Sequence, residues 1–153
     1  MNLEQLIPFL ADSTDNDRFD DLIQELGFKA RPKGPDLTVF IRTPDKKVTL
    51  EFSARPSFEE TFDEVPKSAG SYLLAAIESE TGGADLPFGL TWEMPIASVK
   101  SCLGEPAELD PSIATFIREG LQVTCRFKDK AMTRLSSVTI SLVDVYAKKR
   151  LGL

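Results

Sequence analysis

The sequence predicts an α+β fold: two tandem units, each a helix followed by antiparallel strands, with the helices on one face of a curved sheet. Three observations carry this. A helical apolar stripe runs through residues 15–26, two β-rich runs follow it across a tight turn, and the same order of signals returns about 76 residues later. The whole chain, 1–153, is expected to form one domain made of two repeats, about 13–80 and about 86–143.

Taken in order, "LEQLIPFLA" sets Leu3, Leu6, Ile7 and Leu10 at helical spacing, but Pro8 lies too far in to be a first-turn proline, so only a short helix is expected. In the next segment Ser13, Thr14 or Asp15 can cap, and Asp17, Asp20 and Asp21 favour the positive helix start. Phe19, Leu22, Ile23 and Leu26 then make one face before Gly27 ends it. "PDLTVFIRTP" and "KKVTLEFSA" are strands joined by Thr43-Pro44-Asp45-Lys46, a turn with Pro at its second position. In the first, Thr38, Phe40 and Arg42 face water while Leu37, Val39 and Ile41 face the core. In the second, Val48, Leu50 and Phe52 alternate with Thr49, Glu51 and Ser53. "SYLLAAIESE" reads as a third strand, although its Leu, Ala and Glu would also tolerate a helix, and "TGGAD" is a flexible break. "TFIREG", "LQVTCRF" and "RLSSVTISLV" are further strands, for six to eight in all.

The second unit opens with "LPFGLTWEMPIASVKSCLGEP", residues 86–106. Met94-Pro95 begins a helix, Pro95 standing where its missing N–H costs little, and Phe88 and Trp92 pack beneath it. Its Ile96, Val99, Leu103 and Gly104 repeat the spacing of Phe19, Leu22, Leu26 and Gly27. "FIR" recurs at 40–42 and 116–118, and "VTxxF" at 48–52 and 123–127, giving offsets of 77, 76 and 75 residues. These matches share one order and nearly one offset, which points to duplication.

The phrase "LPFGLTWEMPIASVKSCLGEP", with alternating strands after it, resembles the helix-opening signature of tandem-repeat bacterial immunity and inhibitor proteins that share the architecture of the beta-lactamase inhibitor protein. The resemblance is in outline over 15–143 and specific over 86–106. It implies a helical layer on one side of a curved antiparallel sheet and a concave side that grips a partner enzyme. No partner-contact residue carries over, because nothing outside the structural signature matches.

Charge points to a protein partner. The formal net charge is −6, which argues against nucleic acid, whose phosphates need a basic surface. Residues 1–80 hold sixteen acidic against nine basic side chains, while 81–153 hold eight against nine, so a basic protein or peptide suits the first half. The N-terminus lacks a basic leader and no 18-residue apolar run exists, which predicts a soluble cytoplasmic protein with no membrane partner. Cys102 and Cys125 fall in apolar registers and are expected to be buried thiols rather than a disulfide.

With no histidine, the chain lacks the commonest general base and imidazole ligands. Its two cysteines are isolated, and Gly82-Gly83 is not a phosphate loop, so no catalytic residue, metal site or cofactor is predicted. The candidate partner-binding residues form two groups. "SFEETFDEV" offers Phe58 as an aromatic anchor beside Glu59, Glu60, Asp63 and Glu64, unless it is a surface loop whose two Phe tuck into the core. The wet sheet face offers Phe40, Arg42 and Glu51. The leading function is an immunity protein: a monomer, with a dimer as the alternative, that blocks the basic site of a cognate toxin or effector through an acidic or concave sheet surface. An acidic type III secretion chaperone is the alternative, since "LIQELGF" before two strands is similar to the start of such proteins, although those depend on a second long helix in the later half. A carboxylate-dependent enzyme is a further alternative.

Overall fold

The computed structural model describes residues 1–153. Pro8 breaks the first apolar stripe into two short 3₁₀ turns, Leu3–Gln5 and Ile7–Phe9, which still bury Leu3, Leu6 and Leu10. The second stripe forms helix α1 (Asp17–Glu25). Asn16 caps it by accepting from the Arg18 N–H, and Gly27, at φ +94°, closes it. None of the expected caps, Ser13, Thr14 or Asp15, is the one used; the Ser13 hydroxyl instead accepts the N–H of Asp15 and of Gly70, joining the chain start to a distant loop.

Strands β1 (Thr38–Arg42) and β2 (Val48–Ala54) pair across the expected turn. There the Thr43 hydroxyl and the Lys47 N–H both donate to the Asp45 carboxylate, and these bonds, the Lys47 N–H first, hold it below the ordinary aspartate range. Helix α2 (Arg55–Thr61) begins with Pro56 in its first turn, and strand β3 (Tyr72–Glu80) follows. Helix α3 (Ile96–Leu103) starts after Pro95 and stops at Gly104, φ +89°. Three hairpin strands come next: β4 (Glu108–Asp110), β5 (Ile113–Arg118) and β6 (Leu121–Phe127). Glu119 and Gly120 both take positive φ, the left-handed pair that a two-residue hairpin of this twist requires. Strand β7 (Leu135–Leu142) leads into helix α4 (Val145–Leu151), capped by Asp144 and closed by Gly152.

All seven strands form one antiparallel sheet in the order β1-β2-β3-β7-β6-β5-β4. Its middle is the β3–β7 pair, where Ile77 lies opposite Ile140 and Glu78 opposite Thr139. Alternation gives the sheet two faces. Leu50, Ile77, Val138, Ile140, Val123, Cys125 and Phe116 enter one apolar cluster with Phe19 and Ile23 of α1, Phe58 of α2, and Val99 and Leu103 of α3. Burial in that cluster pushes the Cys125 thiol up to about 12. Cys102, by contrast, is only half-buried. The expected packing of Phe88 and Trp92 holds in kind: both pack against the cluster, and Trp92 donates its Nε1–H to the Ala84 carbonyl at 2.9 Å. Helix α4 differs from the other three, because its buried Ala147 lies outside that cluster. No helix is long and apolar enough to cross a membrane.

Two expectations need correcting. Leu37 is 63% exposed and precedes β1 instead of facing the core. The two "FIR" segments do not hold equivalent places. The bulges in β2 and β6 fall at Glu51/Phe52 and Arg126/Phe127, so the "VTxxF" strands correspond at 75 residues. Glu51 pairs with Phe40, whereas Arg126 pairs with Ile113. Register therefore matches Phe40 to Ile113, three residues short of Phe116, and an odd shift reverses the face. Phe40 is 49% exposed while Phe116 is fully buried. Likewise the fully covered pairs are Phe19 and Ile23 in α1 but Val99 and Leu103 in α3. Phe116→Ala should cost about 3–5 kcal/mol of folding stability in urea titration, and Phe40→Ala less than about 1 kcal/mol.

Candidate partner-binding face

The face opposite the apolar cluster carries the side chains that alternation leaves over. Across the sheet these are Thr38, Phe40 and Arg42 on β1, Thr49 and Glu51 on β2, Ala76 and Glu78 on β3, Thr139 and Ser141 on β7, and Gln122 and Thr124 on β6. It is small and polar in the middle, with an aromatic and a cation at the β1 end. The Arg42 guanidinium carbon lies 5.5 Å from the centroid of the Phe40 ring. Phe40, Thr49, Glu51, Glu78, Thr139 and Ser141 enclose a depression of about 170 Å³.

Glu51 and Glu78 sit diagonally across the β2–β3 ladder, since Glu51 pairs with Ala76 and Glu78 with Thr49. Neither carboxylate is in an ion pair, although both are half-buried. Burial, reinforced by the neighbouring Glu78 charge, raises the Glu51 carboxyl above the ordinary glutamate range. Removing water from two like charges with no internal cation disfavours the isolated fold, and a cation from outside would relieve it.

The structure divides the eight candidate residues. Phe40, Arg42 and Glu51 come together on this face, as the alternation predicted. "SFEETFDEV" does not form a free acidic patch. Phe58 is fully buried and stacks in a tilted pair with Phe62, centroids 4.9 Å apart, so it is withdrawn from any partner. Glu59 and Glu60 are exposed on α2, with Arg55 only 4.0 Å from Glu59. Asp63 and Glu64 face Lys148 of α4 at 3.2 and 3.7 Å, and their charges, the Asp63 hydrogen bond first, hold that ammonium above the usual lysine range. Arg150 meets Glu108 of β4 in two hydrogen bonds, so α4 ties both flanks.

Sequence reasoning missed Glu78 because "SYLLAAIESE" is apolar on both faces and gives no alternation to follow. It also missed α4, although Asp144 at one end, Gly152 at the other and three cations in the last turn spell a helix. Among other polar clusters, the buried Asp12 carboxylate is spoken for: it accepts from the Ser13 N–H, the Ser68 hydroxyl and the Asn16 amide. No group of three or more acidic or cysteine side chains is arranged to hold a metal ion. Comparison with protein-family models, with curated proteins and with solved structures finds no match to this chain.

The Glu51 shift fixes a sign. A carboxyl raised on folding keeps its proton to higher pH in the native state than in the unfolded chain, so stability falls as pH rises from about 4 through the native Glu51 titration. Glu51→Gln should therefore raise the thermal midpoint at pH 7, with the gain fading below about pH 4. Thermal melts across pH check this.

Proposed function

We propose that this chain is an immunity protein of the cytoplasm that neutralises a cognate bacterial effector by covering it with the open sheet face. One observation carries the reading: Glu51 and Glu78 lie half-buried and unpaired beside the exposed Phe40 ring, while Asp20, Asp63, Glu64 and Glu108 are each met by a cation of the chain itself. A basic side chain of the effector seated in the depression would be desolvated between two carboxylates and against an aromatic, the combination that interface hot spots use. Glu59 and Glu60 then act at the rim, speeding encounter rather than holding the complex. The same reading takes the fold as two tandem units, supported by the paired bulges 75 residues apart and by a strand order that runs inward to β3 and outward from β7.

A carboxylate-dependent enzyme is the second reading, favoured by the raised Glu51 carboxyl beside Glu78. The depression, at about 170 Å³, is smaller than the roughly 300–1,000 Å³ of small-molecule sites, so the face suits a protein side chain better.

The test is binding of the protein encoded beside this one, measured with purified chains. Phe40→Ala should weaken the complex by about 2 kcal/mol, mainly through faster dissociation. Glu51→Lys with Glu78→Lys should abolish protection in cells, whereas Glu59→Lys with Glu60→Lys should chiefly slow association at low salt. Unchanged affinity in the Glu51/Glu78 double variant overturns the proposal.

A further inference from the structure

The free edge of the sheet has a different chemistry from its face. β1 ends the strand order and pairs only with β2. At its two ends the Ala54 N–H donates to the Leu37 carbonyl at 2.8 Å and the Thr43 N–H to the Val48 carbonyl at 3.0 Å. In an antiparallel ladder the bonded residues alternate, so Val39 and Ile41 also bond inward. The backbone N–H and C=O groups of Thr38, Phe40 and Arg42 point outward to the free edge. All three residues are exposed.

Charge around this edge opposes that of the chain. Residues 29–47 hold six basic side chains (Lys29, Arg31, Lys33, Arg42, Lys46 and Lys47) against Asp36 and Asp45, a net +4 in a protein of net −6. Of the six, Arg31 is neutralised by Asp20, and the others form no ion pair. A groove of about 480 Å³ runs along the edge, lined by Arg31, Lys33, Asp36, Thr38, Phe40 and Arg42 among others. The opposite edge is unlike it: β4 has three residues, and its Glu108 is bound to Arg150.

We infer that the β1 edge takes an extended acidic segment of a partner protein as an eighth, antiparallel or parallel strand. Its backbone would bond to Thr38, Phe40 and Arg42, and its carboxylates would lie among Lys33, Arg42 and the neighbouring lysines. Strand addition of this kind draws affinity from the main chain and selectivity from alternate side chains. A second copy of the chain is the poorer occupant, because pairing β1 with β1 brings two surfaces of net +4 together. The inference shares Phe40 and Arg42 with the proposed face, but it concerns the outward backbone of β1 and an acidic partner segment, whereas the proposed function concerns a basic partner group held by Glu51 and Glu78.

The experiment pans a displayed library of random twelve-residue peptides against the full chain, then measures the enriched peptides as synthetic ligands. The expected sequences are rich in Asp and Glu. Their binding should weaken with salt, slow amide exchange at Thr38, Phe40 and Arg42, and survive Glu51→Gln with Glu78→Gln. Phe40→Pro removes one outward N–H while leaving the β1–β2 ladder intact, and should reduce affinity about tenfold or more. Lys33→Glu with Arg42→Glu should reduce it independently, which keeps the test decisive if the proline variant fails to fold. No enrichment, neutral or basic winners, protection confined to the face, or binding that persists in whichever of these variants folds overturns the inference.

Discussion

The pairing of β3 with β7 is the constraint on which the rest of the molecule depends. β1, β2 and β3 come from the first half of the chain and β4 to β7 from the second, and this is the one strand pair that joins them. On its covered side Ile77 meets Ile140 and Ser79 meets Val138, so the two halves share one apolar cluster. On its open side Ala76 meets Ser141 and Glu78 meets Thr139, so the depression is built from both halves. Without the seam, β3 would be an exposed edge whose residues Tyr72–Ile77 are all buried in the native fold, an invitation to aggregate. Closing it satisfies the backbone and covers that strand at once.

Electrostatics then separates structure from function. Arg55 donates to the Ser68 and Gly70 carbonyls, Lys148 bridges to Asp63 and Glu64, and Arg150 reaches Glu108. These cations bind loops and the last helix to the sheet, and as half-exposed pairs they contribute modestly to stability. They also use up part of the negative charge that composition assigns to the first half. On the open sheet itself, the Glu51 and Glu78 pair in the middle of the face and the basic segment along its β1 edge stay without such partners, Arg31 excepted. A single surface thus presents a negative hollow beside a positive border, and the two suit different groups of a partner.

Much of this fold was legible in the sequence, and the reasons for the misses are specific. Period-3.6 stripes located α1 and α3, period-2 alternation located β1 and β2 and put Phe40, Arg42 and Glu51 on one face, and Pro44 fixed the hairpin turn. Those signals are local, and each depends on a single covered face. β3 is apolar on both sides through Tyr72–Ile77 and so carries no alternation, which hid Glu78 on its open side. "FIR" matched as a string, but a string carries no pairing register, and the three-residue slip exchanged a buried Phe for an exposed one. The acidic run was read by its charge, whereas the fate of Asp63 and Glu64 was decided by Lys148, about 85 positions away along the chain. Long-range ion pairs of that kind leave no trace in composition.

Native-state hydrogen exchange across the seam tests the account most directly, because a face assembled from two halves exists only while β3 and β7 stay paired. The amides of Ile77, Ser79, Val138 and Ile140, which bond across the seam, should open only with the whole molecule, at the same free energy as the most protected amides of β2 and β6. Seam amides that exchange several kcal/mol below that limit would show the halves parting while each stays folded, and would contradict it.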